Sequence, residues 1–233
     1  SFGADVRTEG TTAVLRPARE LYGQKILVPG DISSAAFFLA AGLIIPHSEV
    51  LVRNVGVNPT RDGILRVLDA MGADVTRMNQ TSHGGEPTAD LLVRSSSLHG
   101  TVIQGAIIPT LIDELPMIAA MACFAEGKTV IRDAAELKVK ESNRIEVMVQ
   151  NLSAMGADVE AAEDGMVIHG GRPLHGAVID SALDHRIAMT FAVTGLCAEG
   201  ETQVMGSECV NISYPDFYGD LRRIMTAGPS FSS

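Results

Sequence analysis

Between Lys138 and Arg144 the chain reads Lys-Val-Lys-Glu-Ser-Asn-Arg: cations, one carboxylate and small polar side chains, directly ahead of an apolar-periodic segment. Ile145, Met148, Val149, Leu152 and Met155 fall at the spacing of one buried helical face. The spacing predicts a helix over 140–155, with Lys140, Glu141 and Arg144 in or beside its first turn. A helix start carries unpaired N–H groups and a partial positive charge, so added lysine and arginine make it a receptor for an anion with more than one negative charge. The plainer account of such a cluster is a solvated cap, so the chemistry needs partners elsewhere in the chain.

Two stretches offer them. Asp113 lies in Ile112-Asp113-Glu114-Leu115-Pro116. Apolar surroundings there are expected to raise its pKa and suit it to proton abstraction, although an aspartate ahead of a helix is by default a cap. Asp184-His185-Arg186 places an imidazole and a guanidinium in the first turn of another helix. Arg186 can clamp a carboxylate or phosphate with two parallel hydrogen bonds, while His185 could equally be a structural residue bonded to a backbone carbonyl. If the helix entrances at Asp113, Lys140 and Asp184 converge, the result is one acid–base site for a small phosphorylated carboxylate. No P-loop, nucleophile elbow, zinc-ligand spacing or dinucleotide fingerprint competes with it.

The elements that must position these residues follow a repeat. Gly-Ala-Asp-Val occurs at Gly3, Gly72 and Gly156, followed each time by a hairpin ending in Leu21-Tyr22-Gly23, Leu98-His99-Gly100 or Leu174-His175-Gly176. Then come another short strand, an aspartate (Asp31, Asp113, Asp184), a small-residue apolar helix, a strand and a second helix. The unit is strand, helix, strand, helix and hairpin, and three such units are expected to pack around a common helical core with the sheets outside. The third unit has no closing hairpin, whereas residues 1–23 form a hairpin with no helices before it. The chain therefore reads as part of a longer polypeptide, with 227–233 a flexible tail.

At 233 residues the chain can hold a sizeable core, and its net charge of −10 argues against a nucleic-acid or membrane-surface binder. The longest apolar run, 35–45, is too short to span a bilayer. Cys123, Cys197 and Cys209 show no metal or disulfide spacing, which suits burial and a reducing cytoplasm.

The segments Pro29-Gly30-Asp31-Ile32-Ser33-Ser34-Ala35, Leu111-Ile112-Asp113-Glu114-Leu115-Pro116, 137–144 and Asp184-His185-Arg186-Ile187-Ala188-Met189 together closely resemble the 5-enolpyruvylshikimate-3-phosphate (EPSP) synthase family. The resemblance runs from Phe2 to about Ile224 and corresponds to the C-terminal half of a family member. It implies a mixed α/β enolpyruvyl transferase fold, an inside-out barrel-like domain of three βαβαββ units. It divides the chain into a hairpin remnant of the missing N-terminal domain (1–26), the C-terminal domain (27–226) and the tail. The hairpin is expected either to swing back onto the third unit or to stay loosely attached.

The implied reaction moves the enolpyruvyl group of phosphoenolpyruvate to the 5-hydroxyl of shikimate 3-phosphate, releasing phosphate without cofactor or metal. Carried over, Asp113 binds and deprotonates the hydroxyl, and Glu141 exchanges a proton with the methylene carbon. Lys140 contacts the hydroxyl and the leaving phosphate, while Arg144 and Arg186, with His185 beside them, bind phosphoenolpyruvate. Ile212 stands where some members carry lysine. Because the rest of the cleft belongs to the missing domain, the isolated chain is expected to be nearly inactive. A UDP-amino-sugar enolpyruvyl transferase, a non-catalytic assembly half and a simple ligand-binding module are the competing readings.

Overall fold

The computed structural model describes residues 2–18 and 20–226, so the tail at 227–233 lies outside the described residues. Three helices form the centre: α1 (Ile32–Ile44), α3 (Leu115–Phe124) and α5 (His185–Thr194), each packed against the other two. Helices α1 and α3 are buried nearly all round, as a uniformly apolar helix must be. Their small residues, among them Ala35, Ala36, Ala119 and Ala120, let the backbones approach closely.

Around this core stand three sheets. The first is β3 (Glu49–Gly56), β5 (Glu86–Arg94) and β4 (Asp74–His83), antiparallel with β5 in the middle. The second runs β6 (Val102–Ile103), β7 (Lys128–Ile131), β9 (Gly165–His169), β8 (Asp158–Ala162), with β6 parallel to β7. The third is the parallel pair β10 (Val178–Asp180) and β11 (Gln203–Met205). The outer helices are α2 (Gly63–Ala70), α4 (Arg144–Ala154) and α6 (Phe217–Thr226).

The repeat is physical as well as textual. Gly3, Gly72 and Gly156 all have positive φ, and a Cβ on each would come within 2.9–3.2 Å of the ring of Tyr22, His99 or His175, the middle residue of the matching Leu-x-Gly turn. The same backbone bond closes each copy: Tyr22 N to Phe2 O, His99 N to Met71 O, His175 N to Met155 O. Glycine is required there both by backbone conformation and by the ring stacked over it.

The first copy departs from the others beyond this point. In the second and third units the turn glycine lies against the backbone beyond the core helix: a Cβ on Gly100 would lie 2.3 Å from the O of Lys128, which opens β7, and one on Gly176 2.1 Å from Glu201 O, two residues ahead of β11. Gly23 has nothing within 4 Å. Held off in this way, residues 24–29 do not form the expected strand, and only Gly30 pairs, in a single bridge to Val55.

The N-terminal hairpin, β1 (Asp5–Glu9) and β2 (Thr12–Arg16), pairs with no other described strand, which excludes its return to the third unit in this structure. Its inward-type pair Val6/Leu15 is 54% and 67% exposed, whereas the matching pair Val159/Ile168 on β8/β9 is 9% and 0% exposed. An apolar pair built for a core lies uncovered.

Candidate active site

The site stands where four helices begin. Asp31 caps α1 by accepting from Ser34 N at 2.9 Å, and Asp184 caps α5 by accepting from Arg186 N at 2.9 Å. Helix α4 starts at Arg144, four residues later than its apolar pattern suggested, because Asn143 takes the cap position and accepts from Glu146 N. Lys140 and Glu141 therefore lie on the connection between a short 3-10 turn (Ala135–Val139) and that cap. Of the expected buried face of α4, Ile145, Met148, Leu152 and Met155 are each at most 1% exposed, while Val149 is only partly buried against the core.

Asp113 does not cap its helix. Glu114 occupies the cap position of α3 and makes no cap bond, while Asp113 turns towards Arg144 Nη1, 3.1 Å away, and Lys140 Nζ, 3.5 Å away. The default assignment of a cap is corrected, and so is the expected direction of its pKa. Partial burial pushes the carboxyl up, but Arg186, Lys140 and Arg144 together hold it below the usual carboxylate range.

Arg144 organises the rest. It is 1% exposed in the first turn of α4, at the positive end of the helix dipole, where an uncompensated cation is unfavourable. Nε donates to Asp184 Oδ2 at 2.8 Å and Nη2 to Asp184 Oδ1 at 3.3 Å; Nη2 also reaches Glu141 Oε2 at 2.7 Å, and Nη1 reaches Asp113. One guanidinium thus ties α3, the 140–143 connection and α5 together. Ser142 Oγ adds a bond to Asp184 Oδ2 at 3.0 Å, and Asp184 itself is 0% exposed. Burial opposes ionisation of both partners, yet their mutual bonds leave Arg144 raised and Asp184 lowered.

Lys140 Nζ is also 2.5 Å from Glu136 Oε1, and although burial opposes its charge, Glu136 and Asp113 raise its pKa. Arg186 is half-buried and has no side-chain ion pair among the described residues, although its charge reaches Asp113, Glu114 and His185. His185 is buried, and burial together with Arg186 lowers its pKa, which favours the neutral imidazole. Its ring makes no hydrogen bond to a backbone carbonyl among the described residues. The structure brings Asp113, Lys140, Glu141, Arg144, His185 and Arg186 together. Asp184, Ser142, Glu136 and the buried pair Ser33/Glu114 join them; the sequence marked Asp184 as a cap and held Ser33, Glu114 and Ser142 within the motifs of the family resemblance, but gave these three no role.

The architecture is the enolpyruvyl transferase fold: NikO of Streptomyces tendae, an enolpyruvyl transferase, superposes with a TM-score of 0.71 at 18% identity over 98% of this chain and 52% of its own, a likeness of fold alone. An EPSP synthase from Acinetobacter baumannii superposes with a TM-score of 0.91 at 43% identity over 96% of this chain and 52% of its own. The family model for EPSP synthase (3-phosphoshikimate 1-carboxyvinyltransferase) matches residues 1–221, and the chain belongs to that family. Relatives bearing the name 3-phosphoshikimate 1-carboxyvinyltransferase include one from Thermoanaerobacter sp. (strain X514), 54% identical over 94% of this chain, and one from Synechococcus sp. (strain RCC307), 51% identical over 96%. The chain spans about half the length of these relatives, 52% of each. Among the described residues no helix is long and apolar enough to cross a membrane.

Proposed function

We propose that this chain is one wall of a two-part cleft that transfers the enolpyruvyl group of phosphoenolpyruvate to the 5-hydroxyl of shikimate 3-phosphate, releasing phosphate. The observation that carries the reading is the division of labour among the cations. Arg144 spends four of its N–H groups on carboxylates, while Arg186 stands without an ion pair among the described residues, at the positive end of α5. Arg186 is the anion clamp and Arg144 the organiser, with one Nη1 N–H left to reach phosphoenolpyruvate. Neutral His185 beside Arg186 offers a hydrogen bond without adding charge.

In the free site Asp113 is a weak base because cations surround it. A bound phosphate and carboxylate neutralise Arg186 and Lys140, so the field that lowers the Asp113 pKa fades when the substrates are seated. Asp113 then takes the proton of the attacking hydroxyl, and Lys140 stabilises the negative charge developing on the departing phosphate. Glu141, half-exposed and oriented by Arg144 at 2.7 Å, exchanges a proton with the methylene carbon during addition and elimination.

The remaining half of the protein is the partner. Residues 1–26 form part of that half, their uncovered Val6/Leu15 pair being the face on which they dock, and 27–226 form the domain of this wall. The third sheet, two-stranded where the second has four strands, takes its missing strands on the β11 edge from the same partner. The reaction is assigned to the cytoplasm, in keeping with free thiols at Cys123, Cys197 and Cys209. The test is phosphate release by the chain mixed with the remaining half, offered shikimate 3-phosphate or a UDP-amino sugar. Turnover with the former alone supports the reading. Turnover with the latter, or with neither in a folded complex, rejects it.

A further inference from the structure

Of the three acidic residues at the core-helix entrances, Asp31 and Asp184 make cap bonds, but Glu114 in the α3 cap position makes none. Its carboxyl instead accepts from the Ser33 hydroxyl in the first turn of α1, and both residues are buried, at 4% and 0% exposure. Ser33 Oγ also accepts from Arg61 Nη2 at 3.2 Å, and that guanidinium lies 3.6 Å from the Asp31 carboxylate. Arg61 is held by a tight turn in which Asn58 Oδ1 accepts from Thr60 N at 3.0 Å and Asn58 O accepts from Arg61 N at 2.8 Å. A cap bond stabilises a helix start and a buried carboxyl is costly, so an acid that gives up the first and accepts the second at this position needs a reason.

We propose that Glu114 is a positioning residue whose clasp with Ser33 pins the entrance of α3 to that of α1 and turns Asp113 away from the cap and onto Lys140 and Arg144. The catalytic consequence rests on the role given to Asp113 above, but the clasp itself does not. With the Glu114 side chain drawn to α1, the peptide preceding it is fixed, and the Asp113 carboxyl is left free to meet the cations opposite. Burial raises the Glu114 pKa against the pull of Ser33, which agrees with a group held for its geometry.

The test reads the Asp113 carboxyl directly, by carbon-13 NMR titration of the chain. Ser33→Ala leaves a buried acid without its donor and can fail to fold, so the decisive variant is Ser33→Ala with Glu114→Leu. Replacing both partners of a buried bond by apolar groups is far milder than orphaning one. In the folded double variant the Asp113 titration is expected to move up towards the ordinary carboxylate range. Removal of a neighbouring negative charge would by itself move it down, so the sign separates positioning from simple electrostatics. In Glu114→Gln, which keeps an acceptor for Ser33, the Asp113 carboxyl is expected to titrate at or below its wild-type position. An Asp113 titration in the double variant that matches wild type or falls below it overturns the proposal. In the enzyme assembled with its remaining half, the double variant is expected to lose about tenfold or more in kcat with KM nearly kept, as for a catalytic group misplaced by a fraction of an ångström. An upward-shifted titration with an inactive wild-type assembly would leave the clasp standing and reject the reaction.

Discussion

Asp184→Asn isolates the charge on which the site is built. The substitution keeps volume and one acceptor oxygen, so the cap bond to Arg186 N survives. It removes the negative charge facing Arg144 and sets an NH2 group against the Arg144 and Ser142 donors now 2.8 and 3.0 Å from Oδ2. Truncating one partner of a buried ion pair costs about 3–5 kcal/mol, and because Asp113 and Glu141 still face the guanidinium, the expected loss is ~3 kcal/mol, at the lower end. Urea unfolding followed by circular dichroism reads this directly. With a slope of about 2–3 kcal/mol per molar, the midpoint falls by roughly 1 M at unchanged slope. The pH dependence carries a second check. Burial pushes the Asp184 carboxyl up, but Arg144 holds the folded value below the unfolded one, so its contribution is complete above the unfolded value and disappears as pH falls through the folded value. The gap between wild type and variant is therefore expected at neutral pH and to close well below pH ~4, the ordinary aspartate range. A loss under about 1 kcal/mol at pH 7, or a gap that persists undiminished in acid, would refute the reasoning, since a buried pair of this kind cannot be silent.

Three further outcomes follow from the same geometry. Gly100→Ala and Gly176→Ala each drive a Cβ into facing backbone at 2.3 and 2.1 Å and are expected to lower the thermal midpoint, by about 1–3 kcal/mol in stability, whereas Gly23→Ala, at the matching position with open space around it, is expected to change stability by less than about 0.5 kcal/mol. Val6→Asp, on an already exposed side chain, is expected to leave the melting of this chain unchanged while weakening its association with the remaining half, measured by calorimetry, at least about tenfold. Arg186→Lys is expected to raise the KM for phosphoenolpyruvate about tenfold in the assembled enzyme, since lysine cannot make the bidentate contact.

Much of this molecule was legible in its sequence because the fold is written three times. The Gly-Ala-Asp-Val and Leu-x-Gly signals meet in space in every copy, through the ring of Tyr22, His99 or His175. The apolar stripe from Ile145 to Met155 gave the face of α4 but not its start, since periodicity reports burial, whereas the first turn is set by where Asn143 can cap. Asp113 was recognisable as a residue of interest, but its pKa direction was not. That sign depends on three cations drawn from two other segments, which the local apolar neighbours do not reveal. Ser33 and Glu114 both lie within motifs of the family resemblance, but their contact left no signal because the bond joins residues 81 positions apart. The missing strand at 24–29 shows the converse: its sequence is apolar enough, but the turn at Gly23 does not dock on the first unit.

The most direct test of the account is the rate of phosphate release from phosphoenolpyruvate and shikimate 3-phosphate by this chain joined to its remaining half, compared with Asp113→Asn and Glu141→Gln in the same assembly. Groups that move protons in the transition state contribute on the order of 10²–10⁴ in rate, so each folded variant is expected to lose at least about a hundredfold. A folded, assembled Asp113→Asn or Glu141→Gln enzyme working at the wild-type rate would contradict the roles assigned to these carboxylates.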